Sequence, residues 1–222
     1  MKGSGSVFSL FNHPEQIIYI SITLLAAFTL HEFAHAYVAY KFGDPTAKNQ
    51  GRLTFNPLKH LDPIGTILIF IIGFGWAKPV PVNRFYFKQP RLAGVLVSIA
   101  GPLTNLLLAF IAQGIYIAWA ISAAQVPVFA SGLLMTMVGL NIVLFVFNLI
   151  PLPPLDGYRI IADLVPNRIR PKLTQYEQYG GILFLIIAIT PLSNYTITPL
   201  FNTVVPAIRD ALTFIIAILF GL

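Results

Sequence analysis

Ile17–Tyr40 reads IIYISITLLAAFTLHEFAHAYVAY, a nearly unbroken apolar run that meets His31, Glu32 and His35 close to its end. A run of that length crosses the roughly 30 Å hydrocarbon core of a bilayer as a helix. An ionisable group inside such a helix costs about 2.5–3.5 kcal/mol on insertion scales, so groups placed there usually serve function. On a helix, positions i and i+4 share a face. The two imidazoles therefore reach one ion, with Glu32 beside them as a base for water, which is the His-Glu-x-x-His arrangement of zinc hydrolases. The plainer alternative is two histidines buried by helix contacts, with Glu32 neutral or paired to one of them.

The surrounding composition agrees with a membrane setting. Of 222 residues, 56% are hydrophobic and 10% charged, against about a quarter charged in soluble domains. There is no cysteine, so any metal is held by nitrogen and oxygen. The net charge of +6 is not spread as a polyanion-binding surface would be. Eight of the 14 basic residues fall between Lys41 and Arg91, and four more between Arg159 and Lys172. That clustering is what cytoplasmic loops show under the positive-inside rule, and it argues against nucleic acid as a partner.

Further apolar segments are Leu92–Ile121, Val128–Ile150, about Tyr176–Leu192 and about Thr198–Leu222. Pro206, Arg209 and Asp210 interrupt the last, so the count is four or five. Loops 41–91 and 157–175 are basic, whereas 122–127 and 193–199 carry no charge. Alternation then sets the N-terminus outside and both basic loops in the cytoplasm. Within the first loop, Ile64–Phe74 is apolar but too short to span, rich in β-prone residues and flanked by glycine and proline. It reads as short strands or a re-entrant hairpin at membrane depth. The expected fold is an all-α polytopic membrane protein of about five transmembrane helices, with a membrane-associated re-entrant β-hairpin or sheet after the first. Residues 1–14 read as a flexible tail, and 15–222 as a single domain containing the re-entrant loop 51–85.

Two histidines leave a catalytic zinc short of one protein ligand. His13 and His60 lie outside the spans. Asp156 is the better candidate, because it follows Asn148-Leu149-Ile150-Pro151-Leu152-Pro153-Pro154-Leu155 at the end of an apolar segment. The prolines break the helix there, and Gly157 permits a sharp turn behind the carboxylate. The competing reading makes Asp156 the cap of a short helix over Gly157–Leu164.

His31–His35 together with Asn148–Gly157 closely resembles the site-2 protease family of intramembrane zinc metalloproteases. Gly51-Arg52-Leu53-Thr54-Phe55-Asn56-Pro57 through Gly65-Thr66, and Ala100-Gly101-Pro102-Leu103-Thr104-Asn105, fit its compact subgroup, which lacks PDZ and CBS domains. The resemblance covers about residues 17–165. It implies one zinc ion (Zn2+) per chain on His31, His35 and Asp156, with Glu32 as general base and acid. It also implies that Asn148 donates a hydrogen bond to the substrate backbone or the oxyanion. A bond between helices is the alternative for Asn148, and holding the core helices together is the expected role of Asn105. The implied partners are transmembrane protein substrates and the lipid bilayer. Independently of the resemblance, the absence of a targeting peptide and the basic inner loops suit a prokaryotic inner membrane, with the active site toward the cytoplasm. Two rivals are a zinc transporter or channel, which needs polar groups along a whole path, and a catalytically silent scaffold, which has no need of Glu32.

Overall fold

The computed structural model describes residues 14–72, 75–122, 125–166 and 168–222; the tail expected at 1–14 falls outside these, Pro14 excepted. Nine α-helices follow one another among the described residues. They are α1 (Pro14–Lys41), α2 (Thr46–Asn49), α3 (Pro63–Ile72), α4 (Pro90–Ser122), α5 (Val128–Asn148), α6 (Asp156–Leu164), α7 (Arg170–Glu177), α8 (Gly180–Ile189) and α9 (Ile197–Phe220). Pro14 opens α1, where its missing N–H costs no hydrogen bond. At the other end Gly43 takes a φ of +102°, a conformation glycine adopts without penalty.

Four helical stretches are long and apolar enough to cross a membrane: Pro14–Lys41, Pro90–Ser122, Val128–Asn148 and Pro191–Phe220. The polytopic all-α reading therefore holds, and the count among the described residues is four. The span expected at Tyr176–Leu192 does not form as one helix. It is divided between α7 and α8, and the 10 residues of α8 reach only about 15 Å at 1.5 Å per residue.

The second correction concerns the loop after α1. Among the described residues no strand forms, and the one β pairing is an isolated antiparallel bridge between Leu61 and Ala77. Where strands were expected, Pro63–Ile72 is helical. Asp62 starts it: its Oδ1 accepts from Gly65 N at 2.9 Å, and its carbonyl accepts from Thr66 Oγ1 at 2.7 Å. An aspartate cap followed by proline in the first turn is a strong helix start. It prevails here over the β-branched residues that follow.

Helix α4 is the hub, packing on α1, α5, α6 and α9. Its contact with α1 is built from small residues. Ala39 of α1 is buried with Ala93 and Val97 of α4, and Gly101 of α4 lies directly against His31 and His35, which lets the backbones approach as membrane helices do. Ala109, Ala112, Val138, Ile142, Val146 and Leu212 form a second core joining α4, α5 and α9. The site lies between α1, α4 and the start of α6.

Candidate metal centre

His31, Glu32 and His35 sit on the inner face of α1, each about 7% exposed. Asp156, the first residue of α6, is buried to the same degree. Its Oδ2 stands 3.2 Å from His31 Nε2 and 3.3 Å from His35 Nε2, and the two Nε2 atoms are 3.0 Å apart. The three residues expected to share an ion are thus brought together, across more than a hundred positions of chain.

Two glycines make that convergence sterically feasible. A Cβ on Gly101 of α4 would come 2.6 Å from His31 Nε2, so only glycine lets α4 close over the imidazoles. A Cβ on Gly157 would fall 2.7 Å from the Ile150 carbonyl oxygen, so a larger residue would push Asp156 away. Gly157 itself is helical, the second residue of α6, and the chain bends before it, over 151–155, not at the glycine.

The hydrogen bonds around the histidines settle which ring nitrogens carry protons. Asn141 Nδ2 donates to the Met137 carbonyl at 2.8 Å, an oxygen that can only accept. Asn141 Oδ1 therefore faces Asn105 Nδ2, at 3.0 Å. Asn105 Oδ1 in turn faces His31 Nδ1, at 2.6 Å. That nitrogen must be the donor. His35 Nδ1 is 2.7 Å from the Val97 carbonyl and is a donor for the same reason. In the neutral rings both Nε2 atoms are then bare lone pairs. They face a third lone-pair atom, Asp156 Oδ2, which is buried and has no hydrogen-bond partner.

With the rings neutral, three acceptors converge at about 3 Å, an arrangement that a bound cation satisfies. Tetrahedral donors at about 2.0–2.1 Å from a zinc ion stand roughly 3.4 Å apart, close to the separations seen. The donor set is nitrogen and oxygen with one carboxylate, as in catalytic rather than structural zinc sites. The residues fit the ion.

Glu32 points instead to the loop. Its Oε2 accepts from the backbone N–H of Val80 at 2.8 Å. Val80 stands between Pro79 and Pro81, so it supplies the only backbone donor in that tripeptide. A residue that precedes proline is driven to extended backbone, which applies to both Lys78 and Val80. The stretch is pinned along its length. Arg52 Nη2 donates to the Lys78 carbonyl at 2.6 Å, Lys78 N donates to the His60 carbonyl at 2.8 Å, and Asn83 N donates to Asp44 Oδ2 at 2.6 Å. Burial lowers the pKa of the Arg52 guanidinium, and the negative charge of Glu32 opposes that shift.

One cavity of about 1400 Å³ joins the three acceptors, Glu32, Val80 and Asn148. Asn148 is half-buried there, its Nδ2 donating to the Leu144 carbonyl of its own helix at 2.9 Å. Phe28, Phe147 and Phe184 make an apolar wall, and Arg84, Arg159 and Glu177 a charged one. Asp163, at the far end of α6 from Asp156, is fully buried and takes both Arg84 and Arg170 on Oδ1. Burial pushes its carboxyl above the ordinary range against the pull of those guanidiniums. Both ends of α6 are thereby tied down. His60 does not enter the cavity wall; it is fully buried, with Nε2 on the Thr54 carbonyl at 2.7 Å.

Asn141, Asp44, Asp163 and the Val80 amide were not visible as parts of the site in the sequence, and Asn105 was read only as a helix contact. Of these, only Asn105 carried a signal, as an amide one turn after Gly101-Pro102 on an apolar helix.

Comparison with known proteins agrees with the geometry. The profile of Peptidase family M50 matches residues 116–189. "Putative zinc metalloprotease YwhC" of Bacillus subtilis (strain 168) is 60% identical over 188 residues, covering 83% of this chain and 86% of the relative. "Putative zinc metalloprotease Rip2" of Mycolicibacterium smegmatis is 32% identical over 176 residues, 77% of this chain and 66% of the relative. "Putative zinc metalloprotease MJ0611" of Methanocaldococcus jannaschii is 30% identical over 162 residues, 68% and 75% of the two chains. No solved structure matches the chain. A likeness that runs through most of both proteins and a cage of lone pairs sized for zinc lead to one conclusion: the chain belongs to peptidase family M50, the site-2 metalloproteases.

Proposed function

We propose that this metalloprotease is an intramembrane endopeptidase, hydrolysing peptide bonds within or near transmembrane segments of other membrane proteins. His31, His35 and Asp156 hold one zinc ion, Glu32 handles the proton, and Asn148 binds the substrate at the scissile bond. The observation that carries the reading is the convergence of His31 Nε2, His35 Nε2 and Asp156 Oδ2 within 4.8 Å of one another, beside a buried glutamate.

A zinc ion bound there would polarise the scissile carbonyl and lower the pKa of water to about 7. The protein supplies the rest. Val80 N–H anchors Glu32 by Oε2, leaving Oε1 to take a proton from the attacking water and return it to the departing amine. The Asn148 amide donates to the developing oxyanion once its second N–H turns into the cavity. The cavity has both an apolar aromatic wall and a charged wall, which suits a segment at the boundary between lipid and water. A helical substrate hides its own peptide groups, so it must unwind to be cut. The pinned, extended stretch beside Val80 offers backbone groups to the unwound chain, as in β-augmentation. The basic loops favour an active site toward the cytoplasm of a prokaryotic inner membrane.

Purified protein is expected to carry about one zinc per chain, lost in His31→Ala and in Asp156→Ala. A single-span substrate should be cut by wild type and by no preparation of Glu32→Ala, which keeps its zinc. Cleavage that survives Glu32→Ala, or zinc that survives both ligand changes, refutes the assignment.

A further inference from the structure

Helix α9 carries its polar residues as a stripe. At about 100° per residue, Asn202, Thr203, Pro206, Arg209, Asp210 and Thr213 fall on one side. Leu200, Phe201, Val204, Val205, Ile208 and Leu212 lie largely on the other and pack on α4 and α5. Asn202, Thr203, Arg209, Asp210 and Thr213 are exposed, and among the described residues neither Arg209 nor Asp210 forms an ion pair. The level of this stripe in the bundle follows from one bond. Gln113 Nε2 of α4 donates to Thr213 Oγ1 at 3.3 Å. Gln113 lies nine residues, roughly 14 Å, before the end of α4 at Ser122. Arg209 and Asp210 stand one turn further from that end. A cation and an anion thus face outward near the middle of a candidate span, where ionisable groups ordinarily turn inward or find a partner.

We propose that this stripe is the contact face of a symmetric dimer formed with a second copy of the chain. Arg209 and Asp210 differ by only about 1.5 Å in depth and point about 100° apart, so they do not neutralise one another across the helix face. A two-fold axis along the membrane normal, passed between them, sets Arg209 of one copy opposite Asp210 of the other. The same operation repeats the pair on the second side. The two charges are self-complementary at one depth. Pro206, one turn away, leaves room for the two helices to close.

The chain has no cysteine, so single cysteines report the contact in proteoliposomes. Asn202→Cys, on the stripe and exposed, is expected to oxidise to a covalent dimer, whereas Ile218→Cys, exposed on another side of α9, stays monomeric. In the Asn202→Cys background, Arg209→Asp alone and Asp210→Arg alone should each lower dimer yield at least tenfold. Co-expressing the two single variants, or joining both changes in one chain, should restore it. The proposal fails under any of three results. One is a wild-type chain that is monomeric at every protein-to-lipid ratio. Another is equal cross-linking at 202 and 218. The third is single charge changes without effect. An Asn202→Cys chain that cross-links to a single-span substrate helix and never to itself would give the stripe to substrate and overturn the dimer.

Discussion

Asn141 touches none of the three proposed metal ligands, yet the direction of its amide determines which His31 nitrogen donates to Asn105. Because Met137 offers a carbonyl, Asn141 can turn only one way, and Asn105 and His31 follow in sequence. Groups that orient a ligand in this manner typically change metal affinity about 10- to 100-fold when removed. Asn141→Ala is therefore expected to weaken zinc binding about tenfold, and Asn105→Leu by more, both read by competition with a chelator of known affinity. Zinc affinity unchanged in both variants would break the relay. The pair His31 and His35 was legible at this scale because its spacing is local, and Asp156 because a proline-rich break before a glycine singled it out. The asparagine relay was not legible. It joins positions 31, 105 and 141, and only the packed faces of α1, α4 and α5 bring them into line.

Between α3 and α4 the chain forms neither helix nor strand from Gly75 to Asn83 apart from the single bridge at Ala77, yet it is held at Lys78, Val80 and Asn83 by partners far away in sequence. Val80→Pro removes the one N–H that anchors Glu32 while keeping the extended backbone that its neighbours already impose. A hydrogen bond to a charged group contributes about 1.5–3 kcal/mol, so kcat is expected to fall at least tenfold. Zinc content should not change, because the hydrogen bond that Val80 gives the site goes to Glu32, which is not among the proposed ligands. Loss of zinc in step with activity would instead make the stretch a structural support. The same region shows why β-rich residues misled the reading. Ile64, Thr66, Ile67 and Ile69 favour strands one by one, but short apolar runs do not distinguish strand from helix. The deciding signal was Asp62-Pro63, a cap and a first-turn proline ahead of the run.

For the whole molecule, four crossings rather than five change which loops share a side. If α8 does not cross, everything from Leu149 to Thr190 stays on one face, and the turn Pro191–Asn194 lies with the basic loop 157–175 rather than opposite it. Cysteines placed at Lys172 and Ser193 should then react with an impermeant reagent from the same side of sealed vesicles, and one at Gln125 from the other. Labelling of Lys172 and Ser193 from opposite sides would restore a fifth crossing. The apolar character of 180–189 was plain in the sequence. Its failure to span was not, because the break after Glu177 depends on Gly180 seating against Pro153, where a Cβ would overlap the proline carbonyl carbon at 2.5 Å. That half-length helix has a consequence for the lipid around it. Ile182, Leu183 and Ile186 are exposed on α8, while Phe184 stacks edge-on against Phe147 at 5.3 Å, on the rim of the cavity. Acyl chains beside such a short apolar surface meet no full-height neighbour, and the leaflets thin to follow it. A bilayer thinned beside the cavity is expected to shorten the path of water to the buried Glu32.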